Sequence, residues 1–230
     1  MFVQIYTAQS PQEALALAEL GVDHVGLTPS QLGLPGEIDL ETAAAAAAAL
    51  RGVAVSVALS VSRDLEEIAA MTKTVRPDIL HLCGLPGDVP PEAVRRLRTM
   101  IPDQRIMQAI AVSGPEAIAD AVAYAKVSDL LILDSHAEDI AGVGAAGFVH
   151  DWSISAEIVR TVDIPVILAG GLSPNNVAEA IRIVRPWGVD SLTLTNLFLD
   201  GQRFVKDLDL VAAFVSHAKE TAAARPDGSR

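Results

Sequence analysis

Two short stretches of this chain carry residue types suited to acting on a phosphorylated molecule. In Leu130-Leu131-Ile132-Leu133-Asp134 an apolar run ends in a carboxylate. An unpaired charge is expensive to bury, so Asp134 is poor core filler. It reads either as a cap or ion-pair partner for the loop that follows, or as an acid–base group at a strand end. In Val166-Ile167-Leu168-Ala169-Gly170-Gly171-Leu172-Ser173-Pro174-Asn175-Asn176-Val177 a second apolar run breaks at a glycine pair and resumes as a helix. Paired glycines let backbone approach a ligand without interference from Cβ, and a helix start offers N–H groups and a positive dipole end to an anion. Gly170 and Gly171 are therefore candidate phosphate ligands, although a turn of this composition also serves as a plain connector. Ser173-Pro174 is expected to open the helix, which reaches about Val184.

Strand alternation adds further candidates. It places Gln4 and Tyr6 on one face of the first apolar run, and His81 and Cys83 on one face of another. Of these, His81 is the easier proton-transfer group, because an imidazole titrates near neutrality. A tyrosine base would need a cationic neighbour, since its ordinary pKa lies about three units higher than neutrality. Both side chains also suit a plain structural role as pocket wall or hydrogen-bonded interior residue. The small-residue segment Ala141-Gly142-Val143-Gly144-Ala145-Ala146-Gly147-Phe148 reads as a lid or a connector. His24 is expected at the opposite end of the molecule and His217 in solvent.

These residues need a scaffold that gathers them. Apolar, β-rich runs are expected as strands at 2–6, 24–27, 54–59, 79–82, 106–111, 130–133, 165–169 and 191–195. Between them lie helices predicted at about 11–20, 40–50, 64–74, 91–100, 115–124, 153–161, 173–184 and 207–219. The first opens with Ser10-Pro11-Gln12-Glu13, a capping-box pattern with proline at the first helical position, and stops at Gly21. Eight strand–helix units predict an α/β fold, a single-domain (β/α)8 barrel over residues 1–220 followed by a disordered polar tail, 221–230. The catalytic rim of such a barrel lies at the carboxyl ends of its strands. A doubly wound open sheet is the competing architecture, but no Gly-rich turn follows the first strand.

Composition narrows the function. The chain has 230 residues, half of them apolar, and a net charge of −12. That balance argues against nonspecific binding to nucleic acid or an anionic membrane, both of which draw on basic patches. No signal peptide or membrane-spanning run is evident, and the single cysteine, Cys83, excludes an intramolecular disulfide. A cytoplasmic protein, monomeric or homodimeric, is expected.

The order of motifs along nearly the whole chain resembles the phosphoribosylanthranilate isomerase family of tryptophan biosynthesis. The resemblance rests on Leu-Leu-Ile-Leu-Asp134, the small-residue loop ending at Asp151-Trp152, Leu168-Ala-Gly-Gly-Leu-Ser-Pro-Asn-Asn-Val177, Ala180-Ile-Arg-Ile-Val-Arg-Pro186, Val189-Asp190 and Lys206-Asp207. It implies a cofactor-free Amadori rearrangement of a phosphorylated aminoaldose to an aminoketose. It also implies that Asp134 is the general acid that opens the sugar ring. The family's base is a cysteine on the first strand, where this chain reads Gln4-Ile5-Tyr6-Thr7, so Tyr6 or His81 is the candidate replacement. The family's arginine for the anthranilate carboxylate has no counterpart in Thr28-Pro29-Ser30-Gln31-Leu32-Gly33-Leu34-Pro35-Gly36, and Gln108 replaces its strand-five lysine. At strand eight the usual phosphate cradle reads Leu192-Thr193-Leu194-Thr195-Asn196. Thr193, Thr195 and Asn196 remain as side-chain donors, beside Gly142 and Gly144 of the small-residue loop. Two other readings fit the same residues. One is a metal-assisted sugar-phosphate epimerase or aldolase using His81, Asp134 and His136; the other is a noncatalytic barrel that binds a phosphorylated ligand.

Overall fold

The computed structural model describes residues 1–135, 149–200 and 203–224. Eight parallel strands close into a barrel: β1 (Phe2–Ile5), β2 (His24–Leu27), β3 (Val55–Ser60), β4 (Ile79–Leu82), β5 (Arg105–Ala111), β6 (Leu130–Asp134), β7 (Val166–Leu168) and β8 (Gly188–Ser191). Closure is made by β1 on β8, with Gln4 opposite Asp190 and Ile5 opposite Ser191. This pairing rules out the open doubly wound sheet. Helices α1 (Pro11–Glu19), α2 (Leu40–Ala49), α3 (Leu65–Val75), α4 (Pro91–Met100), α5 (Glu116–Tyr124), α6 (Trp152–Thr161), α7 (Val177–Val184) and α8 (Leu208–Ala223) follow the strands in turn.

The apolar pattern divides into two buried layers. One lies between strands and helices and includes Val3, Ile5, Leu17, Leu27, Leu80, Leu131 and Phe214; the other fills the barrel with Tyr6, Val57, Ile79, Met107, Ile132, Ile167 and Ala169. Successive side chains on a strand point to opposite faces, so a strand covered on both sides reads as a continuous apolar run. At the amino end of the barrel Phe2 stacks on Trp187, ring centroids 4.0 Å apart, and His24 leans against both rings.

Three boundaries differ from the sequence expectation. Strand eight lies at Gly188–Ser191 rather than 191–195, because backbone pairing with β1 ends at Ser191 and Thr193–Thr195 forms a turn of 3-10 helix. The β-rich alternation of Leu192-Thr193-Leu194-Thr195 therefore marks the rim and not the strand. Helix α7 begins at Val177, not at Ser173: Asn176 Oδ1 accepts from Ser173 N at 2.8 Å and Ser173 Oγ from Asn175 N at 3.2 Å, which holds those residues in a turn. Helix α8 continues through Ala223, so 221–223 belong to it and not to a tail; the alanines there favour helix.

A two-stranded antiparallel hairpin, β9 (Asn196–Asp200) and β10 (Arg203–Lys206), follows β8 and was not anticipated. Glu13 ties it to α1. Ser10 Oγ caps Glu13 N at 3.1 Å, while the Glu13 carboxylate accepts from Gln9 N at 2.7 Å and from Lys206 N at 2.9 Å. The capping box thus also anchors the last strand. Glu13→Gln replaces an acceptor by a donor facing one of these N–H groups, and we expect it to lower stability by about 1.5–3 kcal/mol, the usual scale for a charged hydrogen bond. A thermal melt compared with wild type measures this.

Candidate active site

The site lies at the carboxyl ends of β6, β7 and β8. Asp134 is the last residue of β6, and alternation turns its side chain into the barrel mouth. Gly170 and Gly171 follow β7 with φ of +81° and +63°, a left-handed conformation that costs glycine little. Asp190 faces inward from β8. Together with Ser191 and Thr193 these residues line a narrow cavity of about 20 Å³, room for one water molecule. A β-carbon on Gly170 would fall 2.8 Å from His150 Nδ1, 3.1 Å from Asp134 Oδ1 and 3.2 Å from Ser135 N. Three polar atoms therefore surround one point above the glycine.

Burial sets the protonation of the site. It pushes the Asp134 carboxyl up to about 7, against the pull of the hydrogen bonds it accepts from Ser135 N (2.7 Å) and Ser135 Oγ (3.3 Å). Burial, reinforced by the charge of Asp134, pushes Asp190 up to about 8, opposed by the neighbouring Gln4 amide and Lys206 ammonium. Among the described residues Asp190 Oδ1 is buried without a hydrogen-bond partner. Lys206 is itself brought down to about 7 by burial, with Asp190 and Glu13 working in the other direction. Its Nζ donates to Leu192 O at 3.1 Å and to Asn196 Oδ1.

Tyr6 and His81 do meet. The Tyr6 hydroxyl lies 2.9 Å from His81 Nδ1, and both side chains are buried. Burial, with smaller contributions from Asp190 and Cys83, raises the tyrosine well above the ordinary phenol value; burial lowers His81 to about 3. Both are neutral at pH 7, and each partners the other. Among the described residues His81 Nε2 is buried without a hydrogen-bond partner.

The remaining candidates are placed as follows. Gln4 sits beneath the mouth, its Oε1 3.3 Å from His24 Nδ1. Gln108 donates to Ala109 O at 2.9 Å and lines a separate cavity with Ser60, Gly84, Ser113 and Tyr124. Thr193 borders the Asp134 cavity, but Thr195 and Asn196 do not. The Thr195 hydroxyl donates to Leu192 O at 3.1 Å, and Asn196 Oδ1 accepts from Lys206 Nζ. Gly142, Gly144 and His136 lie outside the described residues. For the metal reading, His81 is engaged with Tyr6, and among the described residues no three His, Cys, Asp or Glu side chains converge.

Sequence reasoning missed Asp190, Lys206 and His150 as site residues. The first two stood in quoted motifs, Val189-Asp190 and Lys206-Asp207, so their signal was present. His150 had none: its ring is fixed by Ser155 Oγ at 2.7 Å from Nε2, and burial brings it down to about 4.

A closed (β/α)8 barrel with buried carboxyls and a glycine-pair turn at its carboxyl rim defines an enzyme of the aldose–ketose isomerase type once its relatives are considered. The family model for N-(5'-phosphoribosyl)anthranilate (PRA) isomerase matches residues 3–217, and the chain belongs to that family. It is 32% identical over 219 residues to the N-(5'-phosphoribosyl)anthranilate isomerase of Methanocella arvoryzae, covering 95% of this chain and 98% of that one. It is 36% identical over 225 residues to the isomerase of Afipia carboxidovorans, covering 95% and 89%. Among solved structures, phosphoribosyl anthranilate isomerase from Thermotoga maritima superposes with a TM-score of 0.80 at 25% identity, covering 96% of this chain and 99% of that one. A related structure, with a TM-score of 0.77 at 24% identity and the same coverage of both chains, holds reduced 1-(o-carboxyphenylamino)-1-deoxyribulose 5-phosphate. Among the described residues no helix is long and apolar enough to cross a membrane.

Proposed function

We propose that this protein isomerises N-(5'-phosphoribosyl)anthranilate, an aldose-to-ketose rearrangement carried out by its own side chains. The observation that carries the reading is the family match across residues 3–217 together with the gathering of Asp134, Gly170 and Gly171 at one cavity. The phosphate belongs at the Gly170-Gly171 turn, beside Thr193 and the start of α7, where backbone and helix dipole favour an anion. Asp134, protonated in its buried setting, gives its proton to the ring oxygen. The carbon–oxygen bond at C1 breaks and the nitrogen lone pair forms the iminium.

The aromatic amine fits the larger cavity of about 530 Å³ beside β2 and β3, walled by Pro29, Leu34, Ile38, Leu40, Leu59 and Met71. That cavity carries hydroxyls at Ser30, Ser60 and Ser62 and the carboxylates of Asp39 and Glu67, with no lysine or arginine in its lining. The anthranilate carboxylate therefore has only neutral donors as partners there, weaker than a guanidinium, and must be turned away from Asp39 and Glu67. A cytoplasmic location and a monomeric or homodimeric state accompany this reading, supported by the single cysteine and by a structural relative described as a dimeric isomerase.

The test is direct. Purified protein is mixed with freshly generated phosphoribosylanthranilate, and loss of substrate fluorescence is followed alongside product mass. Turnover with a KM above the micromolar range supports the reading. No turnover by folded protein at millimolar substrate overturns it.

A further inference from the structure

The rearrangement needs a second proton-transfer group, one that removes the proton from C2 of the ring-opened sugar. We propose that Asp190 is that group, acting as general base opposite the general acid Asp134. The inference rests on the isomerase reading above.

Geometry selects it. Asp190 and Asp134 line the same narrow cavity with the glycine turn, one from β8 and one from β6, so a sugar seated at its mouth with the phosphate on Gly170-Gly171 is within the surroundings of both carboxyls. Asp190 keeps one oxygen buried and without a hydrogen-bond partner among the described residues, an acceptor held ready in a water-poor site. The groups that act on it come from three directions: Gln4 from β1 with Tyr6 just after it, Asp134 from β6, and Lys206 from β10. Lys206 sustains its charge, whereas Asp134 opposes it. Of the other candidates, burial holds Tyr6 protonated well above the ordinary phenol value, and it lowers His81 to about 3, which makes that imidazole a weak base.

The pair also supplies the order of events. Two neighbouring buried carboxyls share protons, and because Asp190 is raised further than Asp134 the reactive form, with Asp134 protonated and Asp190 ionised, is the minor one of the singly protonated pair. When Asp134 gives its proton to the ring oxygen, both carboxyls become charged in a buried site. Their repulsion then raises the basicity of Asp190 just as the iminium acidifies C2–H. Asp190 takes that proton; the C–H electron pair forms the C1=C2 bond, and the C1=N pair returns to nitrogen, giving the enolamine. The enol oxygen gives its proton to the Asp134 carboxylate, C1 gains one from Asp190, and the ketone forms with both carboxyls restored. Protons and electrons balance without a further reactant.

The test uses the full-length protein, phosphoribosylanthranilate and the reduced deoxyribulose 5-phosphate analogue. Asp190→Asn is expected to bind the analogue within about threefold of wild type while kcat falls by at least about a hundredfold, the low end for loss of general acid–base catalysis. Asp190→Ala opens a space the size of formate, and added formate is expected to restore turnover in this variant and not in Asp134→Asn. Two results overturn the assignment while leaving the isomerase reading intact: Asp190→Asn turning over within tenfold of wild type, or loss of analogue binding in parallel with kcat and no formate rescue. Absence of turnover in folded wild type overturns the isomerase reading and this assignment with it.

Discussion

Asp134→Asn loses turnover by about a thousandfold or more while still binding the reduced deoxyribulose 5-phosphate analogue. The amide has the volume and polarity of the carboxyl but no proton to give, so ring opening must proceed without an acid; removing such a group costs typically about 10²–10⁴ in rate. The site adds to that cost, because burial excludes the water that would otherwise substitute. The sign of the pH dependence follows from the direction of the shift. With Asp134 raised to about 7, its acid form dominates below that pH and is lost as pH climbs through it. Wild-type kcat is therefore expected to fall above pH 7, whereas the residual rate of Asp134→Asn lacks that limb. The same substitution is expected to raise stability in alkali. A carboxyl whose folded pKa lies above its unfolded value near 4 contributes stability that is full below that value and lost as pH rises through the folded pKa. Asp134→Asn removes the loss, so its melting temperature should exceed that of wild type at pH 8 and the gain should fade toward pH 5. A variant that is inactive and less stable at pH 8 would show that the carboxylate holds the rim together instead of acting as an acid.

Such a trade between stability and chemistry explains which parts of the molecule were legible in the sequence. Burial of both faces makes parallel strands apolar throughout, and capping residues mark the helices, so the barrel was plain from patterns a few residues long. Asp134 and Gly170-Gly171 were plain for the opposite reason: each breaks its local pattern, a charge after four apolar residues and two glycines where a strand ends. Asp190 breaks no such pattern. It sits inside Gly188–Ser191, a four-residue strand with little apolar content, next to Leu192-Thr193-Leu194-Thr195, which alternates as a strand should. The alternation drew the expected strand three residues too late and left Asp190 outside it. Thr195 and Asn196 show a different limit. Short polar side chains at a barrel rim are as ready to satisfy the backbone or a neighbouring lysine as to hold a ligand, and only the register decides. The Lys206 contact with Asn196 joins residues brought together by a hairpin that no local period announced.

The Tyr6 position, where the family's cysteine is absent, has a structural consequence that a coupled pair of substitutions exposes. The aromatic ring needs room, and Gly26 on the neighbouring strand provides it: a β-carbon at Gly26 would fall 2.2 Å from Tyr6 Cδ1 and 2.4 Å from Cε1. Separations that short cannot be absorbed by small adjustments, and Tyr6 is boxed in by the His81 contact and the packed barrel interior. Gly26→Ala should therefore destabilise the protein by about 3 kcal/mol, at the upper end for overpacking a core, and should displace the tyrosine from His81. In a Tyr6→Cys background the ring is gone and the same alanine meets open space, so its cost should drop below about 1 kcal/mol. The two sites are in contact, and contacting residues show coupling energies of about 0.5–3 kcal/mol in double-mutant cycles. Denaturant unfolding of the four proteins measures the coupling. Additivity within experimental error would mean that the strands separate to admit the methyl group, and that Gly26 is not what makes space for tyrosine. Strong coupling would mean that the glycine makes the space that holds the ring beside His81.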